Sequence, residues 1–149
     1  MMSGMTPGPE LHPVVEEATK RSGVVWVALG AARPRLVWHL WHDGSLWLVC
    51  GGAEQELPGA PAATRAVVTV RSKATQNDRV VSWEAVVAQA APGSAAWETV
   101  VPLLHAQRLN APDGEEQPAR WARESAVLQL TSTGGLVAAT QDPELAAPR

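Results

Sequence analysis

The sequence has one cysteine, no tyrosine and no phenylalanine among its 149 residues. A single thiol, Cys50, cannot form an intrachain disulfide, which suits a reducing compartment. Structural zinc is disfavoured as well, because the chain has no C-x-x-C pair and its four histidines do not fall into a ligand spacing. Because Cys50 ends an apolar run, we expect it to be a buried, inert thiol rather than a redox group.

Charge of one sign and long apolar runs are also scarce. The net charge is −3, whereas a duplex-DNA binder usually carries a basic stripe, so nucleic acid is not an expected partner. No apolar run approaches the roughly 20 residues that cross a bilayer, and the first nine residues lack the two regions of a signal peptide. We therefore expect a cytoplasmic protein without a membrane partner.

Tryptophan is the one plentiful aromatic residue, with seven in the chain. An indole buries a large apolar area and carries an N–H group that needs a hydrogen-bond partner. Two interpretations of any one of these residues are equally open. The ring takes the place that phenylalanine has in other cores, or it lies at an interface or against a ligand.

Apolar periodicity and turn residues predict three helices and six strands. The helices are expected between residues 11 and 23, after Ser94 as the N-cap, and at residues 118–124. The strands are expected at residues 24–29, 36–41, 46–50, 67–70, 80–88 and 126–130. Asp43-Gly44 is a strong hairpin signal between the second and third strands. Gly134-Gly135 is expected to end the last strand.

This element order predicts a mostly β domain: a six-stranded antiparallel split β-barrel with an N-terminal helix and a helix before the last strand. We expect the barrel domain at residues 10–135, after a disordered lead at residues 1–9. Residues 136–149 are rich in proline and alanine and are expected to form a loose tail.

Three stretches carry a resemblance to a known family. Residues 24–29, Val-Val-Trp-Val-Ala-Leu, follow the first helix, and residues 38–48, Trp-His-Leu-Trp-His-Asp-Gly-Ser-Leu-Trp-Leu, surround the hairpin. Residues 79–85, Arg-Val-Val-Ser-Trp-Glu-Ala, form the fifth predicted strand. Over residues 10–132 this arrangement resembles the pyridoxamine 5′-phosphate oxidase-like split barrels. The resemblance implies a flavin cofactor at a homodimer interface.

The segment after the third predicted strand departs from that family. The family commonly holds the cofactor phosphate there with a threonine followed by Ser-x-Lys or Ser-Arg-Lys. In this chain residues 53–55 are Ala-Glu-Gln, and Glu54 and Glu56 bring negative charge to a place that should attract a dianion. Leu40 stands where the second strand often ends in lysine, although Arg35 matches an arginine of that strand.

Several residues remain candidates for holding FMN or the deazaflavin F420. Gly51 and Gly52 offer backbone N–H groups, Gln55 offers an amide, and Arg71 with Lys73 forms a basic turn. For that turn a solvated hairpin tip is the favoured alternative. A late patch of Arg108, Arg120, Trp121 and Arg123 has a solvated helix face as its alternative. The cofactor-binding candidates are Arg35, Trp38, Gly51, Gly52, Gln55, Arg71, Lys73 and Arg123.

No catalytic set and no metal site are predicted. His39 and His42 point to opposite faces of a strand, and we expect His39 to be a hydrogen-bonded sheet residue rather than a base. Two functions therefore stay open: a flavin- or F420-binding oxidoreductase acting on a small molecule, or a cofactor-free, dimeric split-barrel binding module. A heme-binding barrel is a third, and it would need His39 or His105 as the axial ligand. A homodimer is expected in the first two cases, because an incompletely closed barrel leaves an edge that needs cover.

Overall fold

The computed structural model describes residues 11–60, 62–72, 79–107 and 114–137. Within them lie the helices α1 (Pro13–Arg21), α2 (Ala95–Gln107) and α3 (Gln117–Glu124), the last preceded by a 3₁₀ turn at Gly114–Glu116. The strands are β1 (Val24–Leu29), β2 (Arg35–Trp38), β3 (Leu40–His42), β4 (Ser45–Cys50), β5 (Arg65–Ser72), β6 (Arg79–Ala90) and β7 (Ala126–Val137). The predicted lead at residues 1–9 lies outside the described residues, and so does the tail from residue 138 onward.

All seven strands belong to one antiparallel sheet in the order β2-β1-β5-β6-β7-β4-β3. The two edge strands, β2 and β3, are consecutive in the chain and are separated by His39 alone. The sheet therefore curls until its edges meet at His39, which we call the barrel seam. The mostly β split-barrel prediction is confirmed. The count of six strands was wrong by one, because the predicted strand at residues 36–41 is broken at the seam.

The largest difference between a predicted and an observed strand end is at β7. Gly134 has a φ of 87°, yet the ladder with β6 continues past it to the pair Ser82–Val137. The register shifts between Trp83, which pairs with Leu136, and Ala85, which pairs with Ser132, so this bulge-like irregularity accommodates two extra residues of β7 in the ladder. The prediction that Gly134 ends the strand was therefore wrong, because long-range pairing with β6 outweighs the local turn signal.

Two apolar cores lie on opposite sides of β4. Leu46 and Leu48 face the barrel interior with Trp83, whereas Trp47 and Val49 face a second core under α2 and α3. All six residues of β4 are buried, which explains why this strand lacks the alternating pattern of a half-exposed one.

The core interpretation holds for some of the seven tryptophans. Four indoles fill the cores, namely Trp47, Trp83, Trp97 and Trp121. The other three are half-buried, namely Trp26, Trp38 and Trp41.

Local signals place the helices and the hairpin as expected. The Ser94 hydroxyl accepts from the Trp97 amide at 3.2 Å and so caps α2. Asp43 and Gly44 both have positive φ, 52° and 76°, as a type I′ hairpin turn requires. On α1 the predicted apolar face is only partly buried, since Val14 is exposed while Thr19 is buried. No helix among the described residues is both long and apolar enough to span a membrane.

Candidate functional site

The segment after β4, residues 51–57, is the position at which the family holds its cofactor phosphate; we call it the β4 loop. Gly51 and Gly52 have φ values of 88° and 62°, which glycine adopts at little cost. The Gly51 N–H donates to the Gln55 carbonyl at 3.0 Å, and the Glu54 N–H donates to the Gly51 carbonyl at 3.0 Å. The Gly51 N–H is therefore already occupied by a hydrogen bond within the β4 loop.

The Gln55 side chain joins the two sides of the barrel seam. Its Oε1 accepts from the Trp38 N–H at 2.9 Å, and its Nε2 donates to the carbonyls of Trp38 at 3.0 Å and Val49 at 3.1 Å. These bonds satisfy backbone groups at the end of β2 and in β4. Both ends of the amide are therefore engaged by the chain's own backbone.

Glu54 forms an ion pair with Arg120 of α3. The Arg120 Nη2 to Glu54 Oε2 distance is 2.9 Å, and the side chains are 16% and 1% exposed, respectively. Because a buried charge is tolerated only when it is paired and hydrogen-bonded, this contact fixes α3 against the β4 loop. The negative charge in the loop thus serves a contact within the chain.

The junction of α3 and β7 packs over the two glycines. A Cβ atom on Gly52 would lie 2.9 Å from the Glu124 Cβ and 3.0 Å from the Glu124 carbonyl oxygen. The Ser125 hydroxyl donates to the Gly51 carbonyl at 3.0 Å. We call these contacts, with the Glu54–Arg120 pair, the loop brace. They place the chain's own α3 against the segment where the resemblance implies a phosphate.

The remaining candidates are dispersed. Arg35 is exposed and lies 3.9 Å from Glu56, which links it loosely to the β4 loop. Arg71 is on β5, three strands away from β4 in the sheet order. Arg123 is exposed and donates to the carbonyl of its own helix residue Ala119 at 3.4 Å.

The structure therefore groups four of the predicted residues around the β4 loop and the seam, namely Trp38, Gly51, Gly52 and Gln55. Lys73 and Arg108 lie outside the described residues. Sequence reasoning recognised Arg120 as part of a patch but missed its partner Glu54, because the two are 66 residues apart and no local pattern joins them.

His39 is buried at the seam, with 5% of its surface exposed. Its Nε2 donates to the Thr19 carbonyl of α1 at 2.8 Å, so the histidine is hydrogen-bonded as expected, but it lies at the break between β2 and β3 and not within a strand. Burial is the main influence on its pKa and lowers it from the ordinary value of 6.5, against a smaller opposing effect of the Thr19 hydrogen bond. The imidazole is therefore neutral at neutral pH.

Two groups next to the barrel core bear on the chemistry. Burial raises the pKa of the Cys50 thiol to about 11, so it stays protonated and unreactive at neutral pH. Trp41 meets Trp83 edge to face, with ring centroids 6.2 Å apart.

Among the described residues no group of three His, Cys, Asp or Glu side chains is arranged to hold a metal ion.

No family model matches the chain, and no curated protein matches it in sequence. Solved structures do match. The heme storage protein HutZ from Vibrio cholerae has a TM-score of 0.59 and 12% identity, over 86% of this chain and 94% of that one. A putative pyridoxamine 5′-phosphate oxidase from Listeria innocua has a TM-score of 0.55 and 11% identity, over 83% and 93% of the two chains.

An F420 reductase also matches, with a TM-score of 0.54 and 15% identity, over 89% of this chain and 98% of that one. These similarities and the sheet order show that the chain has the split-barrel fold of the pyridoxamine 5′-phosphate oxidase-like proteins. At such low identity they concern the fold alone.

Proposed function

We propose that the chain is a dimeric split-barrel binding module that does not carry FMN as a redox cofactor. The observation behind this proposal is the loop brace, in which Glu54 is 1% exposed and paired with Arg120. A cofactor phosphate needs cations and unoccupied donors. At the β4 loop the Gly51 amide and the Gln55 side chain are already hydrogen-bonded, so these residues do not fit the group.

The free-energy cost of binding a phosphate at the β4 loop is large. Removing one partner of a buried ion pair destabilises a protein by about 3–5 kcal/mol. A phosphate at the β4 loop has to compete with the Glu54–Arg120 pair, and losing that pair would weaken phosphate binding by about two to four orders of magnitude.

The dimer part of the proposal rests on the outer face of β1 and β2. Leu36 is 55% exposed and Val24 44% exposed, and Leu36 pairs across the strands with the half-buried Trp26. A second copy of this chain is the occupant we assign to this apolar face, since two-fold dimers are the commonest assemblies and use the same patch on both subunits.

Sedimentation velocity tests the dimer. Leu36→Glu should shift the sample to the monomer, whereas Leu103→Glu, at a residue 39% exposed on α2, should leave the dimer intact. A monomeric wild-type protein, or equal behaviour of the two variants, would refute this interface.

A flavin- or F420-binding oxidoreductase is the second candidate. It is favoured by the fold similarity to an F420 reductase across nearly all of that chain. In this case the cofactor carries the chemistry and the protein supplies position. The anion would then be held away from the β4 loop, with Arg35, Arg71 and Arg123 as the described candidate cations.

Titration of the purified protein with FMN and, separately, with F420 distinguishes the two. Quenching of tryptophan fluorescence by the bound ring is the signal. The first proposal expects no saturable quenching by either compound up to about 1 mM, a level that corresponds to about −4 kcal/mol. Saturable micromolar binding of either one would overturn it and favour the oxidoreductase.

A further inference from the structure

A cavity of about 320 Å³ lies where the end of α1, the barrel seam and the end of α2 meet. This volume is at the lower end of the range for small-molecule sites. The cavity lies on the α1 side of the seam and shares no residue with the β4 loop. It is lined by Lys20, Arg21, Ser22, Gly23, His39, Leu40, Trp41 and Gln107.

His39 provides a buried hydrogen-bond acceptor in the cavity wall. Its Nε2–H donates to the Thr19 carbonyl, so Nδ1 of the neutral ring carries a lone pair. This Nδ1 is buried and has no hydrogen-bond partner. Leaving a buried polar atom unpaired is unfavourable, and a ligand N–H group can relieve that penalty. Because Nδ1 is closed to solvent, its contact with a ligand requires a small shift of the cavity wall.

The rest of the wall sets the charge and shape of a ligand. Lys20 brings an exposed ammonium group, and no acidic residue lines the cavity. Arg21 already has an acidic neighbour in Glu17, 2.6 Å away, so we assign the anion to Lys20. Trp41 presents a half-buried indole that is fixed against Trp83. This set combines an aromatic surface, a cation and an acceptor.

We propose that this cavity binds a small planar heterocycle that carries both an N–H donor and an acidic group. The donor bonds His39 Nδ1, the acidic group pairs with Lys20, and the ring lies against Trp41. This inference rests on the proposed binding function and supplies its ligand class. It differs from a cofactor-phosphate site because it uses neither the β4 loop nor Arg120.

Three matched probes test the assignment. The first is 6-aminonicotinate, which has the ring, the amino donor and the carboxylate. Nicotinate lacks the donor, and 6-aminonicotinamide lacks the charge. Binding to the ¹⁵N-labelled full-length protein is followed through the indole N–H signals. We expect saturable binding of 6-aminonicotinate at about millimolar Kd and about tenfold weaker binding of each of the other two.

Variants distinguish this cavity from other binding sites. Gly23 lines the cavity and a Cβ atom on it would meet nothing within 4 Å, so Gly23→Leu should be tolerated at Cβ, take up part of the cavity and weaken all three probes at least tenfold. Ala96→Leu enlarges an exposed residue of α2 outside the cavity by nearly as much and should change nothing. His39→Phe keeps a ring but removes both ring nitrogens and so the acceptor, and 6-aminonicotinate and nicotinate should then bind equally well.

Two results would overturn the inference. One is the absence of saturation of the wild-type protein by 6-aminonicotinate up to about 10 mM. The other is unchanged probe affinity in Gly23→Leu, or an unchanged preference for the amino group in His39→Phe. The FMN and F420 titrations are separate measurements. Tight FMN binding would refute the proposed function, whereas the response of Gly23→Leu decides the cavity in either case.

Discussion

The loop brace makes a strong prediction about stability. In Arg120→Met the helix keeps its length and its apolar contacts, but Glu54, 1% exposed, loses its ion pair with Arg120. Breaking a buried ion pair by removing one partner lowers the free energy of unfolding by about 3–5 kcal/mol. For a domain of this size that is a large fraction of a typical total of about 5–15 kcal/mol.

The exposures of the two partners predict an asymmetry. Arg120 is 16% exposed, so in Glu54→Gln the remaining guanidinium still reaches some solvent, and the loss should be smaller than in Arg120→Met. The double variant Glu54→Gln with Arg120→Met has no buried charge at this position. It should recover most of the loss, because replacing a buried pair by uncharged groups of similar volume is often nearly neutral.

Urea denaturation followed by tryptophan fluorescence measures all four proteins and gives the coupling energy as a double-mutant cycle. Arg21→Met is the matched control, since its pair with Glu17 has side chains 81% and 53% exposed and such pairs contribute about 0–1 kcal/mol. A loss below about 1 kcal/mol in Arg120→Met, or a double variant no better than it, would refute the brace.

Three further predictions concern the loop, the seam and the buried histidine. Gly52→Ala should lower the free energy of unfolding more than Gly44→Ala does, and the difference should be about 1 kcal/mol or more. Both glycines have positive φ, but of the two only Gly52 has a close neighbour. Equal losses of stability in urea would contradict this packing. Gln55→Ala should destabilise the protein by about 2–4 kcal/mol and speed amide hydrogen exchange at the seam, and unchanged exchange would show that its amide does not close the barrel. The pKa of His39 is lowered in the folded state, so the unfolded chain binds more protons below about pH 6.5. Stability should therefore fall as the pH drops below that value, with less dependence in His39→Gln, and identical pH profiles of thermal unfolding would contradict this.

Local chemistry made much of the fold predictable. The Asp43-Gly44 turn needs positive φ at both positions, and residues that tolerate it stand there. The apolar face of α2 follows from helical spacing, and Ser94 marks its start because a hydroxyl there can satisfy an amide. Each of these features depends on residues fewer than about ten positions apart.

The features that were missed depend on contacts between distant segments. The break at His39 follows from closure of the barrel, since the strand has to leave one edge of the sheet and join the other. The extension of β7 past Gly134 follows from pairing with β6, which overrides the turn signal of two glycines. The alternation of apolar and polar residues along one strand indicates neither the closure of the barrel nor the pairing of β7 with β6.

By itself the sequence determined the class of fold, the N-cap of α2, the hairpin and the departure of the β4 loop from a basic phosphate-binding segment. Only the tertiary structure decided what that departure means. Considered alone, the negative charge of Glu54 repels a phosphate. With Arg120 2.9 Å away, the same charge stabilises the fold. The physical reason is that the energy of a buried charge depends on its partner in space, and here that partner is supplied by a helix far away in the chain.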